Sequence, residues 1–195
     1  MNVLVIPEDF RHDQYMLKPI IQAMLAELGK PHARVDVLTD PLLGSISQAL
    51  NVTALTKIIH RHKGMYDLFL LCVDRDGEEG RQQALTNIEN TLDGDRLFFF
   101  GENAWQEIEV WLLAGLDLPK EWKWQTVRQE RDPKEKYYYP FARERDVLLE
   151  PGEGRKSLGL EAAKNYGKRI RVRCPEDVKR LETRVQGFLS KSGGS

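Results

Sequence analysis

Acidic side chains stand within two residues of the end of three apolar runs of this chain. Glu8 and Asp9 follow NVLVI (2–6), Asp74 and Asp76 follow LFLLCV (68–73), and Glu102 follows RLFFF (96–100). Glu107 and Glu109 come early in the segment after the last run. Carboxylates crowded at one place repel each other and raise their own pKa values unless a cation neutralises them. All-oxygen donors of this kind suit Mg²⁺ or Mn²⁺, which take few protein carboxylates and keep water or substrate phosphate as the remaining ligands. Glu8, Asp9, Asp74 and Asp76 are therefore the candidate metal ligands. Asp74 and Asp76 would diverge in a strict strand, but Gly77 marks a turn that lets both serve one site. The plain alternative for Asp74-Arg75-Asp76-Gly77 is a charged turn capping the next helix.

These acids converge only if the runs are neighbouring strands. Strand-like and helix-like segments alternate over the first 119 residues, the pattern of an α/β layer fold with a mainly parallel sheet. Strands are expected at 2–6, 34–39 and 68–73, the third apolar throughout and so buried on both faces, and at 96–100. Helices are expected over 13–28, where Met16, Leu17, Ile20, Ile21, Met24 and Leu25 recur at spacings of three and four, and in one piece over 45–64. Two more follow, over 78–92 and over 103–116, the latter capped by Asn103. Ligands of such sheets gather outside the carboxyl ends of the strands, where the acids stand.

Beyond Pro119 the pattern changes. Residues 120–157 mix charge, aromatics and prolines and read as irregular structure or a small insertion, followed by a short helix at 158–167 and a stronger one at 174–189. The division expected is a core over 1–119, a basic, helix-rich extension packed on it over 120–190, and a flexible tail over 191–195. Charge follows the same split. Residues 1–119 hold 10 Lys+Arg against 18 Asp+Glu, a net of −8, and residues 120–195 hold 19 against 12, a net of +7. A metal in the acidic part and phosphates on the basic part would make nucleic acid the natural partner. Two solvated faces in balance are the plain alternative.

No apolar run approaches the roughly 20 residues that cross a bilayer, and the N-terminal segment lacks the basic lead and apolar stretch of a signal peptide. The expectation is a cytoplasmic protein without membrane contact. Cys72 and Cys174 form neither a zinc spacing nor a disulfide framework and read as reduced packing cysteines. GEGRKS (152–157) lacks the spacing of a phosphate-binding P-loop.

An acid after the first strand, Asp-x-Asp after the third and an acidic, tryptophan-containing helix after the fourth resemble the Toprim domain of topoisomerases, primases, recombination factors and nucleases of the overcoming-lysogenization-defect type. VLVIPEDFRHDQYMLKPII, DLFLLCVDRDG, ENAWQEIEVWLLAG and CPEDVKRLETRV carry the likeness, which is nearest to small stand-alone Toprim-like proteins of bacteria and phage-defence loci. The resemblance implies a Toprim-like fold and Mg²⁺- or Mn²⁺-dependent hydrolysis of DNA or RNA phosphodiesters. It also implies a role in antiviral defence beside a separate ATPase, with homo-oligomers among the assemblies expected. It assigns Asp74 and Asp76 to the metal-binding pair and Glu109 to the acid before Trp-Leu-Leu. At the first motif Glu8 has His12 four residues on, Asp9 has Asp13, and no glycine follows either, so both acids stay open and Asp13 joins the catalytic set. The cation that neutralises the transition state is assigned to Arg155 or Lys156, with Lys156 carried as the candidate.

Other residues weighed are His12, a general base if it reaches the acids, and His60 and His62, cations at a helix C-terminus. Tyr137, Tyr138 and Tyr139 would stack on bases or pack a small subdomain. Two further functions fit the same acids: a phosphoacceptor receiver-like signalling module, and a catalytically silent Toprim-like scaffold.

Overall fold

The computed structural model describes residues 1–92 and 98–192. Four strands, β1 (Asn2–Pro7), β2 (Arg34–Val37), β3 (Leu68–Val73) and β4 (Phe99–Asn103), form one sheet in the order β2-β1-β3-β4. All three pairings are parallel, with Val5 opposite Val37 and Leu70, and Val73 opposite Asn103. Strands covered on both faces need apolar side chains on consecutive positions, and β3 is buried at all six. No helix of the described residues is long and apolar enough to cross a membrane.

Strand alternation divides the interior into two layers. Leu4, Ile6, Phe69, Leu71 and Val73 pack with α2 (Ile46–Ala49), α3 (Val52–His62) and α4 (Arg81–Leu92). Val3, Val5, Leu68, Leu70 and Cys72 face α1 (Phe10–Glu27), α5 (Glu109–Gly115) and the C-terminal half of the chain. That half contributes α6 (Trp124–Gln129), a π-helical turn at Lys134–Tyr138, α7 (Tyr139–Glu144), α8 (Arg155–Ala163), a second π-helical turn at Tyr166–Ile170, α9 (Arg171–Arg173) and α10 (Val178–Ser192). Val127, Tyr138, Leu158, Tyr166 and Leu181 enter the same apolar cluster as Val3 and Leu70. Asp177 ties the halves together, accepting from the Trp111 indole at 2.8 Å and from Arg128 at 3.0 Å.

Several sequence expectations need correction. Residues 120–157 are largely helical up to Glu144, because Val127, Tyr137, Tyr138, Phe141 and Ala142 all find the shared core. The helix expected over 45–64 breaks at Leu50, and Asn51 caps the second piece by accepting from the Ala54 amide at 2.9 Å. The fourth strand runs later than the apolar run. It ends at Asn103 because Glu102 is neutralised by Arg180 and Gly101 lets Leu85 approach, a Cβ there lying 2.9 Å from Leu85 Cδ2. Residues 96 and 97 of the expected strand lie outside the described residues, as do the last three of the expected tail, while Lys191 and Ser192 belong to α10. Asn103 therefore caps nothing. The helix after β4 starts only at Glu109, where the Ile108 amide donates to Asp74 Oδ1 at 2.8 Å.

Candidate active site

In a sheet of order β2-β1-β3-β4 the chain leaves β1 to one side and β3 to the other, so a crevice opens between their carboxyl ends. Glu8 is the first residue after β1 and Asp74 the first after β3. Asp13 reaches the same place from the first turn of α1, and Glu109 from the first turn of α5. Asp74 is held well above the usual carboxylate range by burial first, then by Glu109, Asp13 and Glu8, against the opposing pull of the Ile108 amide. Asp13 is pushed up to about 8 by burial and then by Glu109, with Asp9 and Glu8 adding and the Asp9 amide, 3.2 Å from its Oδ2, opposing. Glu8 is raised by burial and by Asp76, against Arg81 and the amides of Ile46 and Asp74, and its Oε2 is buried without a hydrogen-bond partner.

Asp76 takes a left-handed backbone, φ 54°, which turns it toward solvent, with Arg81 Nη2 3.9 Å from its carboxylate. The turn is pinned from outside: the Arg75 amide donates to Gln106 O at 2.7 Å and the Gly77 amide to Gln106 Oε1 at 3.0 Å. Asp9 departs from the cluster. As N-cap of α1 it is gripped by Arg11, whose Nη2 lies 2.8 Å away, and this pairing holds its carboxyl below the usual range. Of the two first-motif acids, Glu8 is the one left unpaired.

Glu102 does not join the acids as the strand-end pattern suggested. It is fully buried inside β4, and Arg180 on α10 binds it with Nε at 3.0 Å from Oε2. Lys156 also lies elsewhere, exposed on α8 beside Tyr15 and Lys18. Its neighbour turns inward instead. Arg155 is 1 % exposed, lies 4.4 Å over the Tyr138 ring, and donates to Glu109 Oε1 from Nη2 at 2.5 Å and Nε at 3.1 Å. Burial pulls this guanidinium down, but Glu109, Tyr138 and Tyr139 together raise it. Tyr138 is buried and Tyr137 nearly so, so neither is a base-stacking platform; the Tyr139 hydroxyl donates to Glu153 at 2.9 Å. His12 stands at the rim, 3.8 Å from Glu153 and 4.0 Å from Asp9. His60 and His62 end α3 in the other layer.

The cation that sequence reasoning missed is Lys134. Its amide donates to Glu107 Oε2 at 2.8 Å, and its ammonium is 3.8 Å from Glu107 Oε1. Burial pulls that ammonium down, but Glu109, Glu107, Tyr139 and Asp74 together raise it. Glu107 is raised by burial and Glu109 against the Lys134 amide. Lys134 lies in a charged stretch without periodicity, and no local pattern distinguishes it from Lys136.

The donor set is that of a hard divalent cation: oxygens only, one of them buried and unpartnered. As the side chains stand, no three His, Cys, Asp or Glu residues among the described ones are placed to hold a metal together. Neither a family model, a curated protein nor a solved structure matches the chain.

Proposed function

We propose that the chain is a metal-dependent phosphodiesterase acting on DNA or RNA, with a Toprim-like acidic centre at the β1–β3 crevice. One observation supports this most: Glu8, Asp13, Asp74 and Glu109 come together from four separate elements, and the first three are raised by burial and by neighbouring acids, Glu8 by Asp76, and Asp13 and Asp74 by Glu109 and Glu8. Such repulsion is relieved by a cation, and no ordinary fold requirement assembles it. Glu8, Asp74 and Asp76 would hold Mg²⁺ or Mn²⁺, drawn inward from their present positions. The ion, once bound, supplies an activated water and neutralises charge on the phosphoryl oxygens. The chain's own residues do the rest. Lys134 carries a positive charge into an acidic site, where an approaching phosphate gains it as a partner. Arg155 fixes Glu109 through two hydrogen bonds to its Oε1. Arg131, whose guanidinium passes 3.6 Å from where a Gly77 Cβ would stand, adds a cation at the mouth for the phosphate backbone. An ATPase partner and a defence role belong to the same proposal through the resemblance.

The test is cleavage of plasmid DNA, single-stranded DNA and tRNA with Mn²⁺ or Mg²⁺, beside Mn²⁺-dependent thermal stability. Wild type should cut at least one substrate and melt higher with Mn²⁺, because a ligand of the native state stabilises it. Asp74→Asn and Glu8→Gln should lose both effects. No cleavage and a melting point indifferent to Mn²⁺ would overturn the reading.

A second reading, a phosphoacceptor module, draws on the sheet order and on a lysine that senses the aspartate after β3. Against it, Asp74 Oδ1 is engaged by the Ile108 amide. Covalent labelling of Asp74 by acetyl phosphate would favour this second reading.

A further inference from the structure

Beyond the end of β4, on the side of the β3–α4 turn away from Glu8, a cleft of about 170 Å³ lies between that turn, the loop after β4 and α10. It contains an unexplained polar group. Asn103 is 6 % exposed, and its Nδ2 donates to Ala104 O at 2.9 Å, which fixes the amide's orientation. Its Oδ1 then has no hydrogen-bond partner. Buried acceptors in native proteins are almost always satisfied, so this one calls for a donor from outside the chain.

The rest of the lining has spare capacity of the opposite kind. Arg75, the residue between the two aspartates of the turn, points away from the acids and lies 4.6 Å over the Trp105 ring. Its Nε reaches Glu78 O at 3.4 Å, and its terminal nitrogens make no hydrogen bond among the described residues. Arg180 commits Nε and Nη2 to Glu102 and Gln82, while its Nη1 and the Gln82 amino group make no hydrogen bond among the described residues. Charge decides what class of ligand fits. Arg75 and Arg180 line it opposite Glu79, Glu176 and Asp177, and Glu176 and Asp177 are bound by Arg128 from behind the lining. Near-balance of charge repels neither sign and attracts neither a bare phosphate nor a metal ion. A neutral, planar group with acceptors on one edge and donors on another remains.

We infer that this cleft binds a nucleobase, and guanine in particular: its O6 and N7 meet the arginine donors while its N1–H and amino group supply the donor that Asn103 Oδ1 lacks. Guanine offers two adjacent acceptors to a single guanidinium, the commonest base-specific contact in protein–DNA complexes, whereas adenine offers one acceptor beside a donor. The base is either part of a strand or a free nucleotide. The inference goes beyond the metal centre and does not depend on it.

The experiment is calorimetric titration in EDTA, so that neither metal nor cleavage contributes, with GMP, AMP, CMP and UMP, and with short single strands that contain or lack one guanine. GMP should bind about tenfold or more tightly than the other three, the discrimination one bidentate arginine–guanine pair supplies. Asn103→Leu should weaken GMP by a similar factor, and Gln82→Met, on the surface of α4, should weaken it without threatening the fold. A guanine-containing strand that outbinds GMP identifies the strand as the source, and one that binds no better identifies a free nucleotide. Equal binding of all four nucleotides, no binding of any, or GMP binding unchanged in both variants would overturn the proposal. Because metal is absent throughout, these results leave the nuclease reading to its own test.

Discussion

Asp13 shows how far one side chain is set by its neighbours. In the unfolded chain it titrates near its ordinary value of 3.8, and in the native state near 8. Below the lower value both states hold the proton and nothing changes with pH. Between the two, the native state keeps a proton that the unfolded state releases, so stability falls as pH rises, and above about 8 the loss is complete. Asp13→Asn should remove this slope. Urea unfolding should show little difference from wild type at pH 4 and a gain of about 1–3 kcal/mol at pH 8. Equal effects at both pH values would mean that Asp13 is ionised in the native state throughout. Glu8 and Asp74 were legible in the sequence because each follows an unbroken apolar run. Asp9 was equally legible and drops out, since nothing local says that Arg11 closes back on it. Lys134 and Arg155 were not, because their partners lie 27 and 46 residues away.

At the scale of elements, the acidic centre depends on how α1, α5 and α8 are held. Arg155 at the start of α8 is the counter-charge of Glu109 at the start of α5, and both are buried. Removing one partner leaves the other charged and uncompensated, so Arg155→Met should destabilise by about 3–5 kcal/mol, and the Arg155→Met/Glu109→Leu pair by less than the single change. Chemical denaturation of the three proteins checks this. Where α1 meets α8, Gly159 brings the backbones together: an added Cβ would stand 2.2 Å from Tyr15 O. Gly159→Ala should therefore cost about 1–3 kcal/mol or more, as overpacking does. Gly187 in α10 has nothing within 4 Å of such a Cβ, so Gly187→Ala should raise stability by about 0.5–1 kcal/mol. The same substitution in two helices then differs in sign by contact alone. Helix α1 was readable from its period, but the Gly159 crossing was not, because a glycine in a helical pattern looks the same in open space and at a close approach.

For the molecule as a whole, the acidic and basic parts of the chain share one apolar layer and the Asp177 node, where Trp111 and Arg128 meet from either side of Pro119. Residues 1–119 alone would expose Trp111, Leu112 and the α1 face, and should not melt cooperatively, whereas the full chain should unfold in one transition by calorimetry and circular dichroism together. Two separate transitions in the full chain would contradict this. Short-range pattern by itself determined the parallel α/β layer, the two central strands, the amphipathic α1 and the gathering of acids at strand ends, since each follows from which side chains a few successive residues turn to one face. Only the tertiary structure decided which charges do what. It turned Arg155 rather than Lys156 inward, withdrew Glu102 into an ion pair, brought Lys134 to the crevice and left Asn103 with an unmet acceptor. The fate of a charged or polar group depends on desolvation and on partners supplied by distant segments, and local sequence carries no record of either.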